Sequence, residues 1–260
     1  MLINGDSMRV FITGARSGIG YAVGKLLSLR GHLVYMGCRS EEEVVSLQNK
    51  LKEEEISAIC IKLDLLTDDI LVADTLDIDL LFCQAGYGVS GSVLDLDEKA
   101  FQEVYDVNIF RNILFMKKVY QHMKKKHIQG KIFVTSSLIG MFPLPYLAVY
   151  SSSKAALSMI VKTLQKEEKE ISFCLVEPGA YSTGYNQVMM DAKEKYQKMQ
   201  NKDYSISFMQ KKLFSLLESD HIDKLAFKIV LEMEKKNPRK ILRVPWIQGL
   251  MLKIYYLFFE

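Results

Sequence analysis

The chain has 260 residues, 49% of them apolar, with 5 prolines and no low-complexity run; this excludes an extensively disordered chain and fits one large α/β domain. Its 34 basic and 31 acidic residues leave a formal charge of +3. That is too small to argue for nucleic acid, so the lysine runs at Lys117-Lys118 and Lys124-Lys125-Lys126 read as solvated helix faces.

Met1–Ser7 lacks a signal-peptide pattern. Arg9–Thr13 is a short apolar strand that runs straight into a glycine-rich segment, Thr13-Gly14-Ala15-Arg16-Ser17-Gly18-Ile19-Gly20. Ile19–Leu29 then reads as a helix, with Ile19, Val23, Leu26 and Leu27 near one face and Gly31 as its stop. Leu33–Gly37 is a second strand. Ser40–Glu55 is a charged amphipathic helix with an inner stripe of Val44, Leu47 and Leu51, and Ala58–Leu63 is a third strand. This β-α-β-α-β order is the first half of a doubly wound parallel sheet. Asp68–Leu76 reads as a short helix and Leu80–Gln84 as the fourth strand. Glu98–Lys126 is a long helix, broken or bent near its start. Lys131–Ser136 is the fifth strand, Tyr150–Glu167 a helix and Ile171–Val176 the sixth strand. Tyr181–Ser215 is a polar insertion rich in Met and Tyr, helical in pieces. A helix over Ile222–Lys235 and a strand over Ile241–Val244 close the pattern. The expected architecture is one Rossmann-type α/β domain over residues 1–260, with a mostly parallel sheet of about seven strands flanked by helices. The tail over 245–260 is almost wholly apolar from Ile247 to Phe259, yet short of the about 20 residues of a transmembrane helix. Core cover or a subunit contact is its first reading. A peripheral membrane anchor or a greasy substrate wall is the alternative.

Four cysteines, Cys38, Cys60, Cys83 and Cys174, lie in or beside apolar runs without metal-ligand spacing, and the four histidines are scattered. Buried free thiols in a reducing, cytoplasmic compartment are expected, and no metal site.

Glycines at 14, 18 and 20, between a strand and a helix, permit a tight turn and close approach of a pyrophosphate to free N–H groups at the helix amino end. The spacing is Gly-x3-Gly-x-Gly. The second strand ends in Gly37-Cys38-Arg39, where an NAD site often carries an acid. Arg39 can pair with a phosphate there and Arg16 can converge on it, which favours NADP(H) over NAD(H). Asp64, at the end of the third strand, can accept from an adenine amine or cap a helix; both readings stay open.

Tyr150 and Lys154 are four apart and share a helix face. A free phenol, with a pKa near 10, is a poor base at neutrality, and an adjacent ammonium favours its ionised form. Ser136 and Ser137 end the fifth strand, Gly140, Pro143 and Pro145 shape the loop back to Tyr150, and Pro178-Gly179 follows the sixth strand. Four strand ends thus send polar or glycine-rich groups to one crevice, and a serine hydroxyl there can hold a substrate oxygen.

With these motifs the chain resembles the classical short-chain dehydrogenase/reductase family, from about Arg9 to Thr183 and more loosely through Val244. The glycine segment, Tyr150-Ser-Ser-Ser-Lys154, Asp106-Val107-Asn108 and Pro178-Gly179-Ala180-Tyr181-Ser182-Thr183 carry the likeness. Thirteen positions separate the family serine from its tyrosine, which selects Ser137. The resemblance implies catalytic roles for Asn108, Ser137, Tyr150 and Lys154, with Asn108 supporting a water in a proton relay. It implies cofactor contacts from Gly14, Arg16, Ser17, Gly18, Ile19, Gly20, Arg39, Asp64, Leu65, Gln84, Ala85, Gly86, Tyr150, Lys154, Pro178, Gly179 and Thr183. One departure is Gln84-Ala85-Gly86, where the family has Asn-Ala-Gly, so local packing must differ. Residues 181–215 resemble the family's substrate lid. Tyr87, Phe142, Leu144, Tyr146, Leu147, Tyr181 and Tyr185, with Met189, Met190 and Phe208 of the lid, suit a hydrophobic carbonyl or alcohol. The implied activity is NADP(H)-dependent reduction of a lipid-, steroid- or retinoid-like ketone or aldehyde. A 3-oxoacyl reductase of fatty-acid metabolism and a non-catalytic NADPH-binding sensor are the alternatives. The long helices imply a homodimer or homotetramer.

Overall fold

The computed structural model describes residues 7–67, 75–181 and 219–245. Thr183, Tyr185, nearly all of the 181–215 insertion, most of the expected 68–76 helix and the 246–260 tail lie outside the described residues.

Seven strands, β1 (Arg9–Ile12), β2 (Leu33–Cys38), β3 (Ile59–Lys62), β4 (Leu80–Cys83), β5 (Lys131–Thr135), β6 (Ser172–Pro178) and β7 (Ile241–Val244), form one sheet in the order β3-β2-β1-β4-β5-β6-β7. Every pairing is parallel, so the mixed character that the sequence left room for is absent among the described strands. The central strands read as continuous apolar runs because both faces are covered: Val10, Phe11, Ile12 and all of Leu80–Cys83 are buried. Alternation along each strand divides the core in two. Val10, Ile12, Phe82 and Phe133 pack with the inner residues of α1 (Gly18–Leu29), α2 (Glu41–Glu53) and the helix Ile222–Met233. Phe11, Leu81, Ile132 and Val134 face the other way, onto the helices Asn112–Lys125 and Ala148–Glu167. There the Phe11 and Phe115 rings meet at 5.4 Å. The inner stripe of α2 is Val44, Leu47 and Leu51, as the periodicity required.

The long helix expected from Glu98 to Lys126 is three pieces: α3 (Glu98–Tyr105), a π turn (Asp106–Arg111) and α4 (Asn112–Lys125). The break expected near its start is this wide turn, and Asn108 lies inside it. The helices that follow are α5 (Ala148–Glu167) and α6 (Ile222–Met233).

Strand β1 hydrogen-bonds to β2 on one side and β4 on the other, so chain progression reverses between β1 and β4. In a doubly wound sheet this reversal opens a crevice outside the strand carboxyl ends. The cysteines are free thiols, and burial pushes the Cys38, Cys83 and Cys174 thiols up to about 12. Cys60 corrects the expectation of uniform burial. It lies on the edge strand β3, beside the exposed Ile59, and is only half-buried. Among the described residues no helix is long and apolar enough to cross a membrane, and no cluster of potential metal ligands occurs.

Candidate active site

The glycine turn is built by contact between β1 and β4. The Thr13 hydroxyl accepts from the backbone N–H groups of Gln84 and Ala85, both at 3.0 Å, which locks the two strand ends together. Gly14 has φ +64°, and a Cβ there would lie 2.8 Å from Ala85 Cα. Gly18 is also left-handed, at +58°, and a Cβ on Gly20 would lie 2.6 Å from the Gly14 carbonyl oxygen. A side chain is excluded at 14 and 20, the left-handed backbone favours glycine at 18, and the backbone stays open in front of α1. Ser17 caps α1 without a side-chain bond, and the first turn carries no acid. An anionic group would therefore meet unneutralised N–H groups and the positive helix end. The residues present fit a dinucleotide at this edge.

Arg39 follows β2, and Arg16 projects from the glycine turn; both are exposed. Asp64 Oδ1 accepts from the Leu66 N–H at 2.9 Å, so its carboxylate shapes the local turn, while Leu65 is buried in the core. Gln84 uses its extra methylene: its amide oxygen reaches β5 and accepts from the Thr135 hydroxyl at 2.6 Å. Ala85 is tied through its carbonyl to Asn112 at 2.9 Å. Gly86 lies half-buried between Ala85 and the clasped Tyr87.

Tyr150 and Lys154 lie on α5, and both are buried. The Lys154 ammonium sits 5.7 Å from the centre of the Tyr150 ring and donates to the Thr135 carbonyl at 3.2 Å. Burial pulls the lysine pKa down to about 8. Ser137 begins a 3₁₀ turn, Leu138–Met141, where its hydroxyl accepts from the Ile139 N–H at 3.3 Å and donates to the Pro178 carbonyl at 3.5 Å. The ends of β5 and β6 therefore meet at this serine, while Gly179 beyond donates its N–H to the Val244 carbonyl at 2.9 Å. Leu147 and Tyr150 form a small apolar cluster with Ile139 and Leu144, and Phe142 and Tyr181 are also buried. Burial pushes the Tyr181 hydroxyl up to about 12.

Asn108 is fully buried. Its Nδ2 donates to the Tyr87 carbonyl at 2.8 Å and to the Ser153 hydroxyl at 2.9 Å, and its Oδ1 accepts from the Tyr87 N–H at 2.7 Å. It clasps the segment after β4 to the helix carrying Tyr150 and Lys154. Any water it anchors must use its backbone carbonyl or the second lone pair of Oδ1.

Several supporting roles escaped the sequence reading. Ser153, between the tyrosine and the lysine, takes the Asn108 bond and donates to the Tyr150 carbonyl at 2.7 Å. Ser136 donates to the Lys154 carbonyl at 2.8 Å and accepts from Ser158 at 2.7 Å. Thr135 holds both Gln84 and Lys154. Four serines within eight residues of α5, at 151, 152, 153 and 158, were a signal, since serine is a weak helix former unless its hydroxyl has a use.

A glycine turn on a helix amino end, tied through Thr135 to a buried ammonium beside a phenol at the carboxyl end of a doubly wound sheet, is the arrangement of a dinucleotide-binding α/β protein. The chain belongs to the short chain dehydrogenase family, whose model matches residues 8–194. These are oxidoreductases that work between carbonyl and alcohol with nicotinamide cofactors. The chain is 29% identical to a 3-ketodihydrosphingosine reductase of Bacteroides thetaiotaomicron, over 94% of this chain and 90% of the relative. It superposes on an actinorhodin polyketide ketoreductase solved with NADPH (TM-score 0.75, 21% identity, 94% and 97% of the two chains). It also superposes on a short chain dehydrogenase/reductase of Burkholderia phymatum in complex with NAD (TM-score 0.75, 17% identity, 98% and 95%).

Proposed function

We propose that this protein uses NADPH to reduce a hydrophobic ketone or aldehyde of lipid, steroid or retinoid type. The observation that carries the reading is the burial of Tyr150 beside Lys154, 5.7 Å from ammonium to ring centre, where Lys154 reaches the carboxyl end of β5. When bound, the nicotinamide supplies hydride to the carbonyl carbon. The Tyr150 hydroxyl gives its proton to the carbonyl oxygen, which becomes the alcohol, and the proton is replaced from solvent. Ser137 holds that oxygen. The Lys154 ammonium stabilises the phenolate left on Tyr150 and is placed to hold a ribose hydroxyl. Asn108 keeps this group of side chains in register through Tyr87 and Ser153. Arg16 and Arg39 read the 2′-phosphate that distinguishes NADPH from NADH.

Likeness to a 3-ketodihydrosphingosine reductase and the buried apolar cluster at Leu147 and Tyr150 support a greasy ketone. Self-association is part of the same proposal. Phe110, Leu114 and Met159 are 57%, 46% and 65% exposed along the π turn, α4 and α5, apolar surface that a second copy could cover. A cytoplasmic location fits the four free thiols.

The test is purified protein with NADPH and a panel of hydrophobic and polar ketones. Oxidation of NADPH is expected with the hydrophobic members. Tyr150→Phe should keep its fold and NADPH binding and lose roughly 100- to 10,000-fold in turnover. Normal turnover in that variant removes Tyr150 as proton donor, and binding without oxidation across the whole panel favours a sensor.

A further inference from the structure

The corner beyond β2 carries more charge than its two arginines. Arg16 Nη1 lies 3.7 Å from Glu43 Oε1, and Arg39 Nη2 lies 3.4 Å from the same oxygen. Glu43 Oε2 accepts from the Arg39 backbone N–H at 2.9 Å. The arginine side chains are 58% and 72% exposed, whereas that of Glu43 is 15% exposed. The reason for this geometry is local. Ser40 caps α2 and accepts from the Glu43 N–H at 3.3 Å, which is half of a capping box. In the other half the glutamate reaches back to the cap residue's N–H. Here it reaches one residue further, to Arg39, and that places the carboxylate between two guanidinium groups. Glu41 and Glu42 complete a first turn of three acids. With the one carboxylate that touches both, the arginine pair carries +1, not +2.

We propose that Glu43 limits the preference for NADP(H), as an internal counter-ion of the Arg16–Arg39 pair. The inference rests on the reading that these arginines bind the 2′-phosphate. A phosphate dianion entering between them must displace the carboxylate or lie against it, and like charges at that distance repel. A ribose hydroxyl has no such conflict, because it can donate to the carboxylate. Glu43 therefore holds the two forks close together and at the same time weakens their discrimination in favour of NADP(H).

Titration calorimetry with adenosine 2′,5′-bisphosphate and adenosine 5′-monophosphate isolates this corner from turnover and from the nicotinamide. Glu43→Gln keeps an oxygen for the Arg39 N–H and removes the charge. It should bind the bisphosphate about fivefold more tightly and the monophosphate no more tightly, the size expected for one exposed charge contact. Glu43→Ala should move the ratio in the same direction, and retained monophosphate binding shows that either variant is folded. An unchanged or lower ratio in both Glu43 variants, with selective loss of the bisphosphate in Arg39→Ala, overturns the counter-ion role and leaves the phosphate reading standing. A ratio that none of the three substitutions moves overturns both.

Discussion

Lys154 costs the fold stability, and the cost is measurable without a substrate. Its side chain is buried, and among the described residues its ammonium has one hydrogen bond, to the Thr135 carbonyl, and no carboxylate partner. Burial lowers its pKa from 10.5 to about 8, a difference worth about 3 kcal/mol against the charged form. The sign follows from proton binding. Between pH 8 and 10.5 the unfolded chain keeps the lysine proton while the folded chain releases it, so stability rises with pH across that window. Below pH 8 both states are charged and the full penalty is present. Lys154→Met fills the same space without charge. It forfeits the charge-assisted bond to Thr135, long at 3.2 Å and worth about 1.5 kcal/mol, so the variant should be about 1.5 kcal/mol more stable than the wild type at pH 7. The gap should close as the pH approaches 10.5, while turnover is lost. Urea denaturation of cofactor-free protein at several pH values, always as the difference between variant and wild type, measures this directly. A variant less stable at pH 7, or a difference that does not change between pH 7 and 10, would show that Lys154 is not held as a desolvated, unpaired ammonium.

Gly140→Ala places a Cβ 2.9 Å from Ala155 N and Lys154 C, backbone atoms of α5 that cannot swing aside. A loss of about 1–3 kcal/mol in unfolding free energy is expected, with reduced NADPH oxidation as Ser137 and Tyr150 are forced apart; wild-type values for both would show that the loop yields freely. Asn108→Ala removes three hydrogen bonds and leaves the Tyr87 N–H and carbonyl without their partner, while Ser153 keeps its bond to the Tyr150 carbonyl. A stability loss of about 3 kcal/mol is expected by thermal or urea unfolding, and an unchanged midpoint would mean that water replaces the amide.

The strands were readable because burial on both faces imposes a simple rule: Leu80–Cys83 is apolar at every position because both layers of helices cover it. The amphipathic stripe of α2 was readable for the same reason in helical form. The π turn was legible only as a break, since over six residues a wide turn and an α-helix differ little in apolar spacing. Cys60 was misjudged because an apolar run does not say whether its strand lies at the centre or the edge of a sheet. Gln84 was seen as a misfit in its motif, but the Thr135 hydroxyl that receives it comes from a strand 51 residues away in sequence.

The sequence by itself fixes which chemical groups are available and how those on one helix are spaced. A phenol and an amine four residues apart share a face of α5 in any fold that keeps that helix, and glycines at 14, 18 and 20 permit a turn that other residues would block. Tertiary structure alone decides the depression of the Lys154 pKa, the clasp of Asn108 on Tyr87 and Ser153, and the carboxylate between Arg16 and Arg39. Desolvation and Coulomb energy depend on distance through space, and the chain order does not encode which distant strand end will arrive within 3 or 4 Å.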